Sequence, residues 1–168
     1  MTSPGNNWKR LDHSELQITV LAESDVPAMM TLEHTGAGHP WTEGQYVTCF
    51  GPEYRFHGAW YGDALVGFVV DWRLLDEAHL MNLCVHGQFQ GQGVGRHLLR
   101  YWLASMQRAG MVTLTLEVRE SNETARRLYA SEGFEHVGTR PGYYPALEGT
   151  EAACVMALEL TPVRTKGS

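Results

Sequence analysis

Apolar and polar positions alternate along much of the chain, and two periods divide it into elements. "LQITVL" (16–21) carries a two-residue period and predicts a strand. "ESDVPAMMTLEHTG" (23–36) predicts a helix with Ser24 as N-cap and Gly36 as stop, and a short helix is expected from Thr42 within "PWTEGQYVTCF". "RFHGAWY", the Gly62–Asp63 turn and "ALVGFVVDW" read as a hairpin, and "AHLMNLCV" (78–85) as a further strand. Val94, Leu98, Leu99, Trp102, Leu103 and Met106 then form one apolar stripe, with Arg96, Arg100 and Gln107 opposite; this amphipathic helix should end near Gly110. In "VTLTLEV" (112–118) alternation is strict, which puts Glu117 on the polar face. "SNETARRLYASEGF" predicts a helix capped by Ser121 or Asn122 and stopped at Gly133, with Tyr129 sharing a face with Ala125 and Leu128. "EHVGTR" and "ACVMALEL" read as two closing strands around a loop rich in Gly, Pro and Tyr. The order β-α-α-β-β-β-α-β-α-β-β implies an α/β three-layer domain around a mixed sheet.

At 168 residues the chain is long enough for one sizeable core and short for two. Residues 1–14 are expected to be a flexible leader, 15–161 one domain, and 162–168 a frayed tail. An apolar fraction of 43% suits an ordinary globular protein, and the longest apolar run, "ALVGFVV", is far short of a membrane span. The opening residues contain no signal-peptide core, and Cys49, Cys84 and Cys154 form neither a disulfide framework nor a C-x-x-C motif, so the cytoplasm is the expected compartment. The eight histidines show no metal-ligand spacing, and no metal is expected. A net charge of −6 argues against nucleic acid and agrees with a basic partner, although solubility alone also explains it.

The segment between the 78–85 strand and the helix at Val94 has glycines at 87, 91, 93 and 95 and glutamines at 88, 90 and 92. A glycine-rich turn opening a helix lets backbone amides approach an anion, at the positive end of the helix dipole. A P-loop is excluded, because Arg96–His97 follows Gly95 where Lys-Ser/Thr is needed. The dinucleotide fingerprint fails in both registers, since Arg96 or Leu98 takes the third glycine position. What remains is Gln90-x-x-Gly93-x-Gly95, or a plain flexible turn.

That motif, after an apolar strand and before a helix, resembles the pyrophosphate loop of the GNAT acyl-CoA N-acetyltransferases. "EVRESNETARRLYASEGF" (117–134) resembles the second half of the same signature, and "PWTE", "LMNLCV", "TLEVRESN", "LYASEGF" and "YYP" (143–145) resemble the bacterial ribosomal-protein alanine N-acetyltransferases, the RimI type. The likeness runs from about residue 17 to 160. It implies a GNAT fold, a three-layer domain with a mostly antiparallel mixed sheet of about seven strands and about four helices. It also implies acetyl-CoA as co-substrate, direct transfer, and the N-terminal alanine of small-subunit ribosomal protein eighteen as acceptor. Tyr129 would be the general acid and Glu117 the base. Gln90, Gly91, Gln92, Gly93, Val94, Gly95 and Arg96 would hold the cofactor together with Asn122, Tyr129 and the amides of Leu83, Cys84 and Val85. Trp41, Glu43, Tyr143 and Tyr144 would line the acceptor groove.

Each assignment has a plainer counterpart: Tyr129 and Trp41 as core aromatics, Glu117 as a solvated carboxylate, Cys84 as a small buried residue. A phenol of pKa ~10 can protonate a thiolate whose acid has pKa ~8.5 only in a concerted step or a favourable site. An α-amine of pKa ~8 needs only modest help from a base. Other acceptors (other protein N-termini, lysine or a small amine) and a non-catalytic acyl-CoA-binding regulator remain as alternatives. The chain departs from the family pattern at Gly91, where relatives place Arg, and at His86–Gly87, where many have Asp-Pro.

Overall fold

The structure, a computed structural model, describes residues 11–36 and 39–161. Its strands are β1 (Leu16–Val20), β2 (Tyr54–Tyr61), β3 (Ala64–Leu74), β4 (Glu77–Val85), β5 (Thr113–Arg119), β6 (Glu135–Pro145) and β7 (Thr150–Glu159). Its helices are α1 (Val26–His34), α2 (Glu43–Thr48), α3 (Val94–Arg108) and α4 (Glu123–Ser131). The strands form one sheet in the order β1-β2-β3-β4-β5-β7-β6, mixed as expected: β4 and β5 pair in parallel and every other neighbour is antiparallel.

Two apolar clusters occupy the two faces of this sheet. The stripe on α3 buries Val94, Leu98, Leu99, Trp102 and Met106 against Leu114, Leu116 and Val118 of β5, and α4 adds Tyr129. On the other face Val26, Met29 and Leu32 of α1 and Tyr46 of α2 pack on Leu65, Phe68 and Val70 of β3. A bulge in β2–β3 between Ala59 and Trp60 sets Val66 and Gly67 successively on the α3 side. A Cβ at Gly67 would lie 2.7 Å from Leu98 Cδ1, so glycine there lets α3 sit close to the sheet.

Three expectations are corrected. Ser24 does not cap α1: it lies in a 3-10 turn over Glu23–Asp25, and Asp25 Oδ2 accepts from Ala22 N–H. The segment rich in Gly, Pro and Tyr is no loop but a continuation of β6 to Pro145. Pro141 is tolerated because β6 is an edge strand whose register breaks between Arg140 and Tyr144. Residues 11–14, expected in the leader, pack on the domain: Leu11 is buried and donates to Gln92 Oε1, and a 3-10 turn spans His13–Glu15. Residues 1–10 and the expected tail at 162–168 lie outside the described residues. Among the described residues, no helix is long and apolar enough to cross a membrane.

Candidate active site

β4 and β5 run side by side only from Glu77↔Thr113 to Leu80↔Leu116; past that point they diverge. The divergence opens a cleft of about 640 Å³. β4 (Asn82–Val85) forms one wall and β5 (Glu117–Arg119) the other, while Glu33, Trp41, Asn122, Tyr129 and Tyr144 close the ends. Because His86 N–H donates to Val66 O on β3, alternation turns Cys84 N–H toward β3 as well. Leu83 and Val85 then face the gap. Gln90 Nε2 reaches Val85 O from that side at 3.5 Å. The three-amide expectation therefore narrows to Leu83 and Val85; the Cys84 amide belongs to the sheet.

The glycine-rich segment brings Gln90 into the cleft wall, and Gly95 at the start of α3 adjoins it through Val85, whereas Gly93 and Arg96 line a separate pocket with His13. Gly93 caps α3 at φ +80° without a side-chain bond, and Gly91 stands at φ +78° with no atom near a hypothetical Cβ. The first helical bond runs from His97 N–H to Gly93 O, so the amides of Val94, Gly95 and Arg96 precede the helix ladder. An uncapped helix start preceded by the open Gly91 fits a pyrophosphate, whereas Gly93 is covered on its Cβ side by the His13 ring, 2.8 Å from where a Cβ would stand. Gln92 serves differently: its side chain and carbonyl bind Leu11 N–H and the His13 ring. The expected cation is also occupied, since Arg96 Nη1 bonds Glu132 and Ser131 Oγ.

The His86–Gly87 departure has a local reason. His86 Nδ1 accepts from Gln88 N–H at 3.1 Å and caps the 3-10 turn Gly87–Phe89, as an aspartate would. Gly87 N–H donates to Thr35 Oγ1 at 2.7 Å, a bond that proline could not make.

Glu117 is mostly covered and pairs with Arg140 Nε at 3.3 Å; Tyr143 hydrogen-bonds to it, which raises the Tyr143 phenol's pKa. Tyr144 lies under the Arg119 guanidinium, 4.5 Å from its ring centre, and its pKa is pushed up to about 12, chiefly by burial. Tyr129 sits across the cleft on α4, buried edge-on to Phe134, and burial raises its phenol well above the ordinary value. Asn122 Oδ1 caps α4 by accepting from Ala125 N–H, which leaves its amide group for the cleft. Burial likewise pushes the Cys84 thiol up, the wrong direction for a nucleophile.

Trp41 is both wall and core: it borders the cleft and packs on Tyr46 at 5.2 Å. Glu43 does not border the cleft; it is the exposed first residue of α2, and Gln45 lines the wall instead while completing a capping box with Thr42. Sequence reading missed Glu33, a cleft-wall carboxylate only 3% exposed. Its signal was present: Glu33 is four residues after Met29 and seven after Val26, on the apolar face of α1.

Comparison with known proteins agrees with this geometry. The acetyltransferase (GNAT) domain family matches residues 43–143. The [ribosomal protein bS18]-alanine N-acetyltransferase of Salmonella typhimurium is 37% identical over 144 residues, 86% of this chain and 97% of the relative. Its Escherichia coli counterpart is 35% identical over the same shares. The crystal structure of the ribosomal-protein-S18-alanine N-acetyltransferase from Escherichia coli superposes with a TM-score of 0.84 at 33% identity, covering 91% of this chain and 99% of that one. The chain belongs to the GNAT acetyltransferase family and is an N-acetyltransferase.

Proposed function

We propose that the protein transfers an acetyl group from acetyl-CoA to the N-terminal alanine of ribosomal protein bS18, in the cytoplasm. The observation that carries this reading is that Glu117 and Tyr129 border the same cleft at the β4–β5 divergence. The names of the relatives at 35–37% identity support the choice of acceptor.

Acetyl-CoA supplies an activated thioester, and the rest is done by the chain. Amides at the start of α3, with Gly91 and Gly93, hold the pyrophosphate, and the Asn122 amide holds the pantetheine arm. Leu83 and Val85 N–H groups point at the thioester carbonyl and stabilise the negative charge that grows on its oxygen. Trp41 and Tyr144 bound the acceptor groove; Tyr143 lies outside the cleft wall and touches it through its hydrogen bond to Glu117. Glu117 takes a proton from the α-ammonium, directly or through water; the neutral nitrogen bonds to the acetyl carbon as the C–S bond breaks. Tyr129 hands its proton to the departing sulfur, and the second proton shed by the acetylated nitrogen, carried by water, returns the phenolate to its neutral form. A buried phenol stays protonated until that moment, and the developing thiolate, stranded in the same dry site, is a strong enough acceptor.

Mass spectrometry of bS18 from cells lacking this gene tests the acceptor. The N-terminal acetyl group should disappear; its full retention would rule the acceptor out.

A further inference from the structure

Glu33 and Asp71 are the two buried carboxylates among the described residues. Asp71 has a cation, Arg73, at 2.9 Å, and the half-buried carboxylates Glu117, Glu132 and Glu151 each have an arginine. None of the ion pairs formed among the described residues includes Glu33. Its donors are neutral and long: Trp41 N–H at 3.2 Å, Asn82 Nδ2 at 3.3 Å and Cys84 Sγ at 3.5 Å. A carboxylate withdrawn from water with no ion-pair partner is costly, and the fold keeps this one in the wall of the acceptor cleft, with the adjacent His34 acting on it through space but not paired to it.

From this mismatch we infer that Glu33 is the anchor for the acceptor's N-terminal ammonium, the substrate supplying the cation that the protein withholds. The inference rests on the cleft being an α-amine site, as proposed above. Trp41 and Asn82, which fix the carboxylate, border the same cleft, so an ammonium entering between α1 and β5 meets Glu33 on one wall and Glu117 on the other. Burial already raises the Glu33 pKa, and an arriving ammonium opposes that shift. The two carboxylates divide the work. Glu33 binds the charged ground state, whereas Glu117 removes the proton; an interaction with the ammonium lowers KM without raising kcat.

Steady-state kinetics of Glu33→Gln on an Ala-initiated peptide, at saturating acetyl-CoA, should show the peptide KM raised about tenfold or more while kcat falls far less. Glu117→Gln should show the opposite split. Competition binding then compares the Ala-initiated peptide with its des-amino analogue, in which propionyl replaces alanyl. Wild type and Glu117→Gln should prefer the amine, and Glu33→Gln should lose most of that preference. An unchanged peptide KM, or a preference that survives in Glu33→Gln, overturns the inference. If that variant does not fold, the wild-type protein decides: NMR titration of labelled glutamate should show the Glu33 pKa falling on addition of the amine peptide but not of the analogue, and equal effects overturn it. Wild type that fails to acetylate any Ala-initiated peptide defeats the proposed function itself, a different outcome from active wild type with an indifferent Glu33.

Discussion

The backbone of Gly87 lies directly against the end of α1: its N–H donates to Thr35 Oγ1 over 2.7 Å, and a Cβ at 87 would stand 2.3 Å from Thr35 O. The loop that precedes the cofactor helix is thereby fastened to the helix that carries Glu33. Because the obstacle is backbone, Gly87→Ala must push the two segments apart. It should cost about 1–3 kcal/mol and raise KM for both substrates. Thermal melting with bisubstrate kinetics checks this.

The glycines of the loop should separate by conformation. Gly91 and Gly93 have φ +78° and +80°, so alanine at either position should destabilise by about 1–2 kcal/mol, near 2–4 °C in Tm per kcal/mol. Gly95 is helical, and its added Cβ would meet Val85 Cγ2 at 3.5 Å and Leu128 Cδ2 at 3.6 Å, ordinary contacts. Gly95→Ala should therefore stabilise the protein through helix propensity by up to about 1 kcal/mol and raise Tm accordingly. Three melting curves give the test.

Tyr129→Phe removes the proposed acid while keeping the ring against Phe134, so kcat on a good peptide should drop about 100-fold with the fold intact. The same phenol sets an alkaline limit. Burial raises its folded pKa above the unfolded value, so its neutral form stabilises the fold fully below pH ~10 and that contribution drains away as pH climbs above it. Tyr129→Phe should consequently unfold at higher pH than wild type in an alkaline titration followed by circular dichroism.

Asp71 joins the sheet to α3: it accepts from Trp102 Nε1 at 2.8 Å and from Arg73 Nε at 2.9 Å, and is 1% exposed. Asp71→Ala strands both donors and should cost about 3–5 kcal/mol in urea unfolding, while activity per folded molecule is retained.

Elements were legible where one period dominated. The α3 stripe and the β5 alternation each place their apolar residues in one cluster, and the element order matches throughout. Two misreadings came from rules that tertiary context overrode. Pro141 and Gly142 looked like a loop, yet an edge strand with a register break accommodates both. Ser24 looked like a cap, but Asp25 closes that turn. The glycine loop stood out because its spacing is local, and Glu117 and Tyr129 because they fall in a segment that resembles the second half of the GNAT signature. Glu33 did not, because its partners Asn82 and Cys84 come from a strand about fifty residues away. Likewise Arg96 reads as a free cation until Glu132, from α4, is seen to hold it.

The most direct test of the account compares two peptides of equal composition with acetyl-CoA, one with a free N-terminal alanine and no lysine accessible, the other blocked at its N-terminus with an internal lysine. An α-amine is neutral about 100 times more often than a lysine at pH 7, and the cleft is read as an α-amine site. The account predicts kcat/KM at least about 100-fold higher for the free alanine, lost in both Glu117→Gln and Tyr129→Phe. Equal rates on the two peptides, or a preference for the lysine, would contradict it.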